Sequence, residues 1–263
     1  MTYSNIQGVP DFECQEFAPK KTNYCLLVPI INEDGRIQKE LQRANAHGIH
    51  ELVDIIICDG GSKDGCTDAT ELTALGVNTL LTKTGAGKQA AQLRMGFWWA
   101  LERGYDGFVT IDGNNKDSIE DVPAFVKKLD EGYDFVQGSR FMKGGKAINT
   151  PLTRYIAIRL IHAPVISITA KKWYTDTTSA YRAHSRKYIT HKSVQPFRDI
   201  FVTYELLAYL SVRADQLGLK TAEIPVTREY PKGEKTPTKI KGFSAHFGLI
   251  KTLFKNLLGK YHA

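Results

Sequence analysis

Short runs of Val, Ile and Leu alternate with longer helix-compatible stretches through the first half of the chain, a pattern that predicts βαβ units around a mainly parallel sheet. The spacing predicts a strand over Tyr24 to Ile31, a helix over Glu33 to Ala46, a strand over Asp54 to Cys58, and a helix over Gly65 to Leu75 capped by Asp64 or Ser62. A third strand, Val77 to Leu81, leads into a helix over Lys88 to Arg103 with Leu93, Phe97 and Ala100 on one face and Gly104 at its end. A fourth strand, Phe108 to Ile111, stops abruptly at Asp112-Gly113-Asn114. Loops after successive parallel strands meet at the carboxyl edge of the sheet. That edge would gather Asn32 and Glu33, residues Asp59 to Asp64, residues Lys83 to Lys88, and Asp112 to Asn114. An Asp-Gly-Asn cluster placed there offers oxygen ligands to a metal-bound diphosphate; the same three residues also make an ordinary turn.

Two later segments have a different pattern. Ile240, Phe243, Phe247, Ile250, Phe254 and Leu257 recur at helical steps among Lys239, Lys241, Lys251, Lys255 and Lys260. Such a helix suits an anionic membrane surface or a docking site on the rest of the chain. Residues Pro151 to Lys172 interleave Tyr155, Ile156, Ile158, Leu160 and Ile161 with Arg154, Arg159 and His162, and Pro164 is expected to divide them.

A length of 263 residues with 42% hydrophobic content supports one large domain with a tail, divided as an N-terminal extension over 1–22, a main domain over 23–237 and a basic amphipathic helix over 238–263. No apolar run approaches the length of a membrane span, and Met1 to Lys21 is polar and acidic rather than signal-like, so a cytoplasmic location is expected. Cys14, Cys25, Cys58 and Cys66 lack metal-type pair spacing and read as buried free thiols. The net charge of +7 is carried by the region after about Lys143 and suits anionic partners. Nucleic acid is one such class, and Trp173, Tyr174 and Phe243 lie among the basic residues, yet no nucleic-acid motif is present and no nucleic-acid partner is expected.

The glycines of the Asp59 loop permit close backbone approach, and its carboxylate is available to ribose hydroxyls or a base edge; a simple glycine-rich turn is the competing reading. Gly85-Ala86-Gly87-Lys88-Gln89 lacks both the first glycine and the final Ser or Thr of a P-loop, which excludes that motif. Lys88 at a helix N-terminus could still meet an anion.

An ordered series of short segments runs from Tyr24 to Lys241: Val28-Pro29-Ile30-Ile31-Asn32-Glu33, Cys58 to Asp64, Gly85 to Gly96, Gly138-Ser139-Arg140, Asp176 to Arg182, and Glu223-Ile224-Pro225-Val226 followed by residues Arg228 to Lys235. In that series the chain resembles the family 2 glycosyltransferases, and within them the polyprenyl-phosphate mannose or glucose synthases. Val28-Pro29-Ile30-Ile31-Asn32-Glu33 is similar to the opening Pro-x-x-Asn-Glu segment, Cys58 to Asp64 to the Val-Asp-Asp-Gly-Ser-x-Asp loop, and Gly85 to Gly96 to the Gly-Lys-Gly-x-Ala segment. Gly138-Ser139-Arg140 matches a Gly-Ser-Arg element, and Asp176 to Arg182 resembles Asp-x-x-Ser-Gly-Phe-Arg. Glu223-Ile224-Pro225-Val226 and residues Arg228 to Lys235 resemble the family's late strand and basic loop.

The resemblance implies an α/β GT-A fold, a mixed and mainly parallel sheet flanked by helices. It implies inverting transfer of a sugar from a UDP- or GDP-sugar to a polyprenyl phosphate by a protein peripherally bound to the inner, cytoplasmic membrane face, with Mg²⁺ or Mn²⁺ as cofactor. Pro29, Asn32, Glu33, Asp59, Gly61, Lys88 and Gly113 would bind the donor, and Asp112 and Asn114 would hold its metal. Arg140, Arg182 and Arg228 would meet acceptor phosphate or departing diphosphate, and surface charge pairing is the alternative for each. Asp112, Asp176 and Arg140 are the candidate catalytic residues. A glycan or glycolipid hydroxyl acceptor would instead need a base, Asp176 or Glu205. A catalytically weak nucleotide-sugar-binding protein is a further alternative. Asn114 and Gly60 replace acids of the family pattern, so metal affinity should fall with the lost ligand charge. Lys116 would supply positive charge near the diphosphate or Asp117 the missing carboxylate, and Asp117 to Glu120 also reads as a helix start.

Overall fold

The computed structural model describes residues 1–232 and 243–262, with the backbone alone for 243–247. Among the described residues eleven strands occur in chain order: β1 (Thr2–Tyr3), β2 (Phe12–Glu16), β3 (Tyr24–Ile30), β4 (Asp54–Asp59), β5 (Val77–Lys83), β6 (Gly107–Thr110), β7 (Phe135–Ser139), β8 (Lys146–Ile148), β9 (Arg182–Ser185), β10 (Thr221–Pro225) and β11 (Thr227–Glu229). The α-helices among the described residues are α1 (Arg36–Ala46), α2 (Ile49–Leu52), α3 (Ala69–Ala74), α4 (Gln89–Glu102), α5 (Val122–Asp130), α6 (Leu152–Ala157), α7 (Ala163–Ala170), α8 (Arg186–Ile189), α9 (Glu205–Gln216) and α10 (Phe243–Leu257).

Nine strands form one sheet in the order β1-β2-β5-β4-β3-β6-β9-β7-β10, and β8 pairs with β11 in a small second sheet. β5, β4, β3 and β6 are parallel, whereas β9 runs antiparallel between β6 and β7. Residues 1–22 contribute to this sheet, since β2 pairs antiparallel with β5 and sets Cys14 opposite Leu81. Helices cover both faces, which is why the strands read as unbroken apolar runs. Cys25 and Leu27 of β3 join the core beneath α4 and α9, whereas Leu26, Val28 and Ile30 join the core beneath α1 and α5. All four cysteines are free and buried.

Local geometry moves several predicted boundaries. The helix expected from Glu33 begins at Arg36, because Asn32 (φ +50) and Gly35 (φ +72) take left-handed conformations that delay it. α3 is capped by Asp68, whose carboxylate accepts the Glu71 N–H at 2.8 Å. Ser62 and Asp64, the expected caps, instead accept the N–H groups of Asn32 (2.9 Å) and Asp34 (2.8 Å) from the neighbouring loop. α4 is buried nearly all round rather than on one stripe, since α9 covers the side away from the sheet. On the opposite side Gly96 lets α4 lie close on the sheet, because a Cβ there would lie 2.6 Å from Cys58 Sγ of β4. Pro164 divides the 151–172 segment without ending it: the chain stays helical, but a π-helical turn over Ile158–His162 separates α6 from α7, and Pro164, which has no N–H to continue the α-helical ladder, follows that turn.

α10 packs against α7 and α9 through buried Leu253 and through Asn256, whose side-chain amide donates to the Ala208 carbonyl at 2.8 Å. The predicted stripe faces the other way at Ile250, Phe254 and Leu257, all exposed. Lys239, Ile240 and Lys241 of that prediction, and residues 233–235 of the basic loop, lie outside the described residues. Among the described residues, no helix is long and apolar enough to cross a membrane.

His184 sits wholly buried among Phe97, Phe135 and Tyr188 with neither ring nitrogen hydrogen-bonded among the described residues. Burial, reinforced by Arg182, pushes its pKa down to about 3. A depressed folded pKa means that below about 6.5 the unfolded chain binds the proton and the folded chain does not, so stability is lost as pH falls. Between pH 7.5 and pH 5 the wild type should lose about 2 kcal/mol more than His184→Phe. Equal losses in urea unfolding at the two pH values would refute this assignment.

Candidate functional site

Because β7 and β3 to β6 point the same way and β9 opposes them, the loops after β3, β4, β5, β6 and β7 and the loop before β9 share one edge. Pro29 is buried in β3 opposite Cys58. Asn32, which is exposed, accepts the Lys63 N–H at 2.9 Å. Glu33 pairs with Arg36 at 2.5 Å. The loops after β3 and β4 are therefore stitched into one rim.

Asp59 is a correction to the sequence reading. Its buried carboxylate accepts the N–H groups of Gly61 (3.0 Å) and Ser62 (3.0 Å) and the Ser62 hydroxyl (2.5 Å), so it builds the turn rather than offering free oxygens to a ribose. Gly61, at φ +92, supplies the left-handed conformation this turn requires. The N-terminus of α4 is closed as well, because the N–H groups of Lys88 and Ala90 donate to the carbonyls of Val202 and Thr203, each at 2.9 Å. The anion expected at that terminus would find these amides taken, while the Lys88 side chain is exposed.

Asp112 stands just beyond β6 with 23% of its side chain exposed. Its Oδ1 accepts the Gln89 amide at 3.0 Å and its Oδ2 accepts Arg228 Nη2 at 3.4 Å. Gly113 packs into the core, since a Cβ there would strike Ile30 and lie 2.8 Å from Val28 Cγ1. That contact fixes the Asp112 and Asn114 backbone on either side. Asn114 donates its N–H to the Asp112 carbonyl at 2.8 Å, and its side-chain Oδ1 is buried with no hydrogen-bond partner among the described residues. Asn115 adopts φ +55 and donates its N–H to Glu40 at 2.8 Å. Burial pushes the Glu40 carboxyl well above its ordinary range, with Asp117 and Asp112 adding to the shift.

Asp117 is fully buried and accepts Arg228 Nη1, so the helix-start reading holds only for the 3₁₀ turn Ile119–Asp121 that leads into α5. Burial alone would lower the Arg228 guanidinium, but the Asp117 and Asp112 carboxylates hold it well above its usual value. The ring of Tyr230 gathers Lys116, Arg154 and Arg228 at 5.5, 5.5 and 5.6 Å, and Arg154 Nη1 donates to its hydroxyl at 2.9 Å. Burial raises this phenol, and Arg228, Arg154 and Arg140 outweigh it, bringing the pKa to about 8.

Arg140 and Asp176 form a buried ion pair at 2.6 Å, with a second contact at 3.0 Å, and Arg140 also donates to Thr178 Oγ1 at 2.7 Å. Burial alone would raise the Asp176 carboxyl, but Arg140 and backbone donors hold it below its usual range. Neither a surface ion pair nor an accessible base describes Asp176. Glu205 is likewise engaged, accepting the N–H groups of Val202 (3.1 Å) and Thr203 (2.6 Å) at the start of α9. Arg182 corrects a third expectation. Buried at the start of β9, it donates to the carbonyls of Ser179 (3.0 Å), Leu207 (2.6 Å) and Thr177 (3.1 Å), so it secures the loop after Asp176 instead of meeting phosphate.

The edge therefore opposes an oxygen-rich side, Asp112 and Asn114, with a cationic side built by Arg140, Arg154, Arg228 and Lys116. Sequence reasoning placed Gln89 only as a mismatch to a P-loop and Arg154 only within an apolar segment, and it did not single out Tyr230 or Glu40. Their signal is spatial, because each acts across loops far apart in the chain.

The family model described as glycosyl transferase family 2 matches residues 25–194. The chain is 25% identical over 239 residues to a polyprenol monophosphomannose synthase from Mycolicibacterium smegmatis, covering 89% of this chain and 87% of that protein. It is 29% identical over 177 residues to an undecaprenyl-phosphate mannosyltransferase from Micrococcus luteus, covering 66% and 71% respectively. Among solved structures, it is similar to the Mycobacterium tuberculosis glucosyl-3-phosphoglycerate synthase in complex with Mn²⁺, UDP and glucosyl-3-phosphoglycerate, with a TM-score of 0.64 at 16% identity over 90% of this chain and 79% of that one. This last likeness carries the fold, the GT-A arrangement expected from the sequence.

Proposed function

The chain belongs to glycosyl transferase family 2, and from that membership we propose that it moves a sugar from a nucleoside diphosphate sugar to a polyprenyl phosphate, with inversion, at the cytoplasmic face of a membrane. The observation that carries this reading is the cationic side of the site, where Arg140, Arg154, Arg228 and Lys116 converge opposite Asp112. Two phosphorylated groups must be held at such a centre, the leaving diphosphate and the attacking phosphate.

An acceptor phosphate is already an anionic nucleophile, so in-line attack at the anomeric carbon needs positioning and charge stabilisation more than a base. The engagement of Asp176 and Glu205 by other groups supports a phosphate over a hydroxyl acceptor. Arg140 is preset for phosphate by Asp176 and Thr178, which fix its guanidinium, and Tyr230 orients Arg154. Asp112 and Asn114 fit a hard divalent cation, since both offer oxygens and Asn114 Oδ1 has no partner among the described residues. When bound, Mg²⁺ or Mn²⁺ would neutralise charge on the departing nucleoside diphosphate. Pro29, Asn32, Glu33 and the Asp59–Gly61 turn would form the rim around the nucleoside.

Support for the membrane surface comes from large apolar side chains left exposed along residues 152–173 and at the end of α10. Leu160 is 72% exposed and Leu258 71%, and Leu152, Ile168 and Trp173 are comparably open. Arg154, Arg159, Lys171 and Lys172 lie among the former group, the composition of an interfacial surface.

The test combines UDP- and GDP-sugars with polyprenyl phosphate in anionic vesicles, in Mg²⁺, Mn²⁺ or chelator, with product identified by mass and protein located by sedimentation. A glycosyl phosphoryl polyprenol and vesicle-bound protein are expected. Product only from glycan or glycolipid hydroxyls would overturn the acceptor assignment, and protein left wholly in the supernatant would overturn the membrane assignment.

A further inference from the structure

We infer that Arg228 is a latch on Asp112: before the donor arrives it occupies the carboxylate oxygen that a divalent cation needs, and the donor diphosphate draws it away. This rests on the reading that Asp112 and Asn114 hold the cation. Both oxygens of Asp112 are engaged, Oδ1 by the Gln89 amide at 3.0 Å and Oδ2 by Arg228 Nη2 at 3.4 Å.

The two arms of Arg228 are unequal. Nη1 is anchored on fully buried Asp117, where Arg228 also bridges through its backbone, whereas Nη2 reaches the partly exposed Asp112 over a long contact. The weaker arm is the one that faces the site. A guanidinium matches phosphate oxygens better than it matches one carboxylate oxygen at that distance, so an incoming diphosphate can take Nη2 without disturbing the anchor. Cation affinity depends on ligand charge, and Asn114 contributes a neutral carbonyl only. With Asp112 neutralised by Arg228, the donor-free site offers a cation little charge. Once the arm is withdrawn, Asp112 regains it, and by linkage the cation and the nucleotide then strengthen each other's binding.

Mn²⁺ titration followed by electron paramagnetic resonance, on the full chain with and without UDP or GDP, tests the latch apart from turnover. The decisive variant is Arg228→Gln with Asp117→Asn, which removes the pair together and leaves the net charge unchanged, so a gain in affinity reports a freed Asp112. Without nucleotide it should bind Mn²⁺ about tenfold or more tightly than the wild type. Arg228→Lys keeps the charge but cannot bridge both carboxylates, and it should show a gain in the same direction; it serves if the double variant fails to fold. Nucleotide-free affinity no higher than wild type in the folded variants would overturn the latch while leaving the cation reading in place. Absence of Mn²⁺ binding even with UDP or GDP in every protein would remove both.

Discussion

Asp112→Ala is expected to lower sugar transfer about a thousandfold or more while the fold survives. The expectation follows from two separate features of the residue. Asp112 is partly exposed and lies beyond the last hydrogen-bonded residue of β6, so its removal opens no core cavity, and Arg228 keeps its partner in Asp117. The loss falls on function, because the only carboxylate paired with the Asn114 carbonyl in the proposed cation site is gone. Asp112→Asn separates charge from shape, since it retains an oxygen for Gln89, and it should lose nearly as much transfer as alanine. Turnover and thermal unfolding, measured together, check the claim. Wild-type turnover in a folded Asp112→Ala protein would exclude the assigned role.

Asp176→Ala should have the larger effect on stability, about 3–5 kcal/mol, together with loss of transfer. Both members of its ion pair with Arg140 are essentially buried, so alanine would strand a guanidinium that burial alone disfavours. The same substitution removes the acceptor of the Thr178 N–H, at 3.2 Å, although Glu223 still accepts the Thr175 N–H at 2.9 Å. Replacing the pair with apolar residues, Arg140→Met with Asp176→Leu, should restore most of the stability but none of the transfer. That split separates what the pair contributes to stability from what it contributes to transfer. A destabilisation below about 1 kcal/mol in Asp176→Ala would show that the pair does not hold the site together.

Much of the scaffold was legible because its signals are local. The β3, β4, β5 and β6 segments are continuous apolar runs, and their predicted spans differ from the observed ones by only a residue or two at most ends. The gathering of polar loops at one sheet edge followed from strand direction alone. Helix starts were less legible, since the residues that resemble caps, Ser62 and Asp64, bond across to the β3 loop, and only Asp68 remains for α3. The choice between membrane and docking for the C-terminal stripe was not legible for a similar reason: the face that docks includes Asn256, polar in sequence, whose amide donates to the Ala208 carbonyl.

By itself, the sequence determined the α/β class, the succession along the chain of the strands whose loops meet at one edge, the family resemblance and the place of Asp112 just beyond β6. Only the tertiary structure decided which charged groups are available there. Asp59, Asp176 and Arg182 are engaged by neighbours, while Arg228 spans Asp117 and Asp112 from a strand more than a hundred residues away. The physical reason is that a side chain's type and its neighbours in sequence set what it can bond, but burial and the partners brought across the sheet edge set what it does bond.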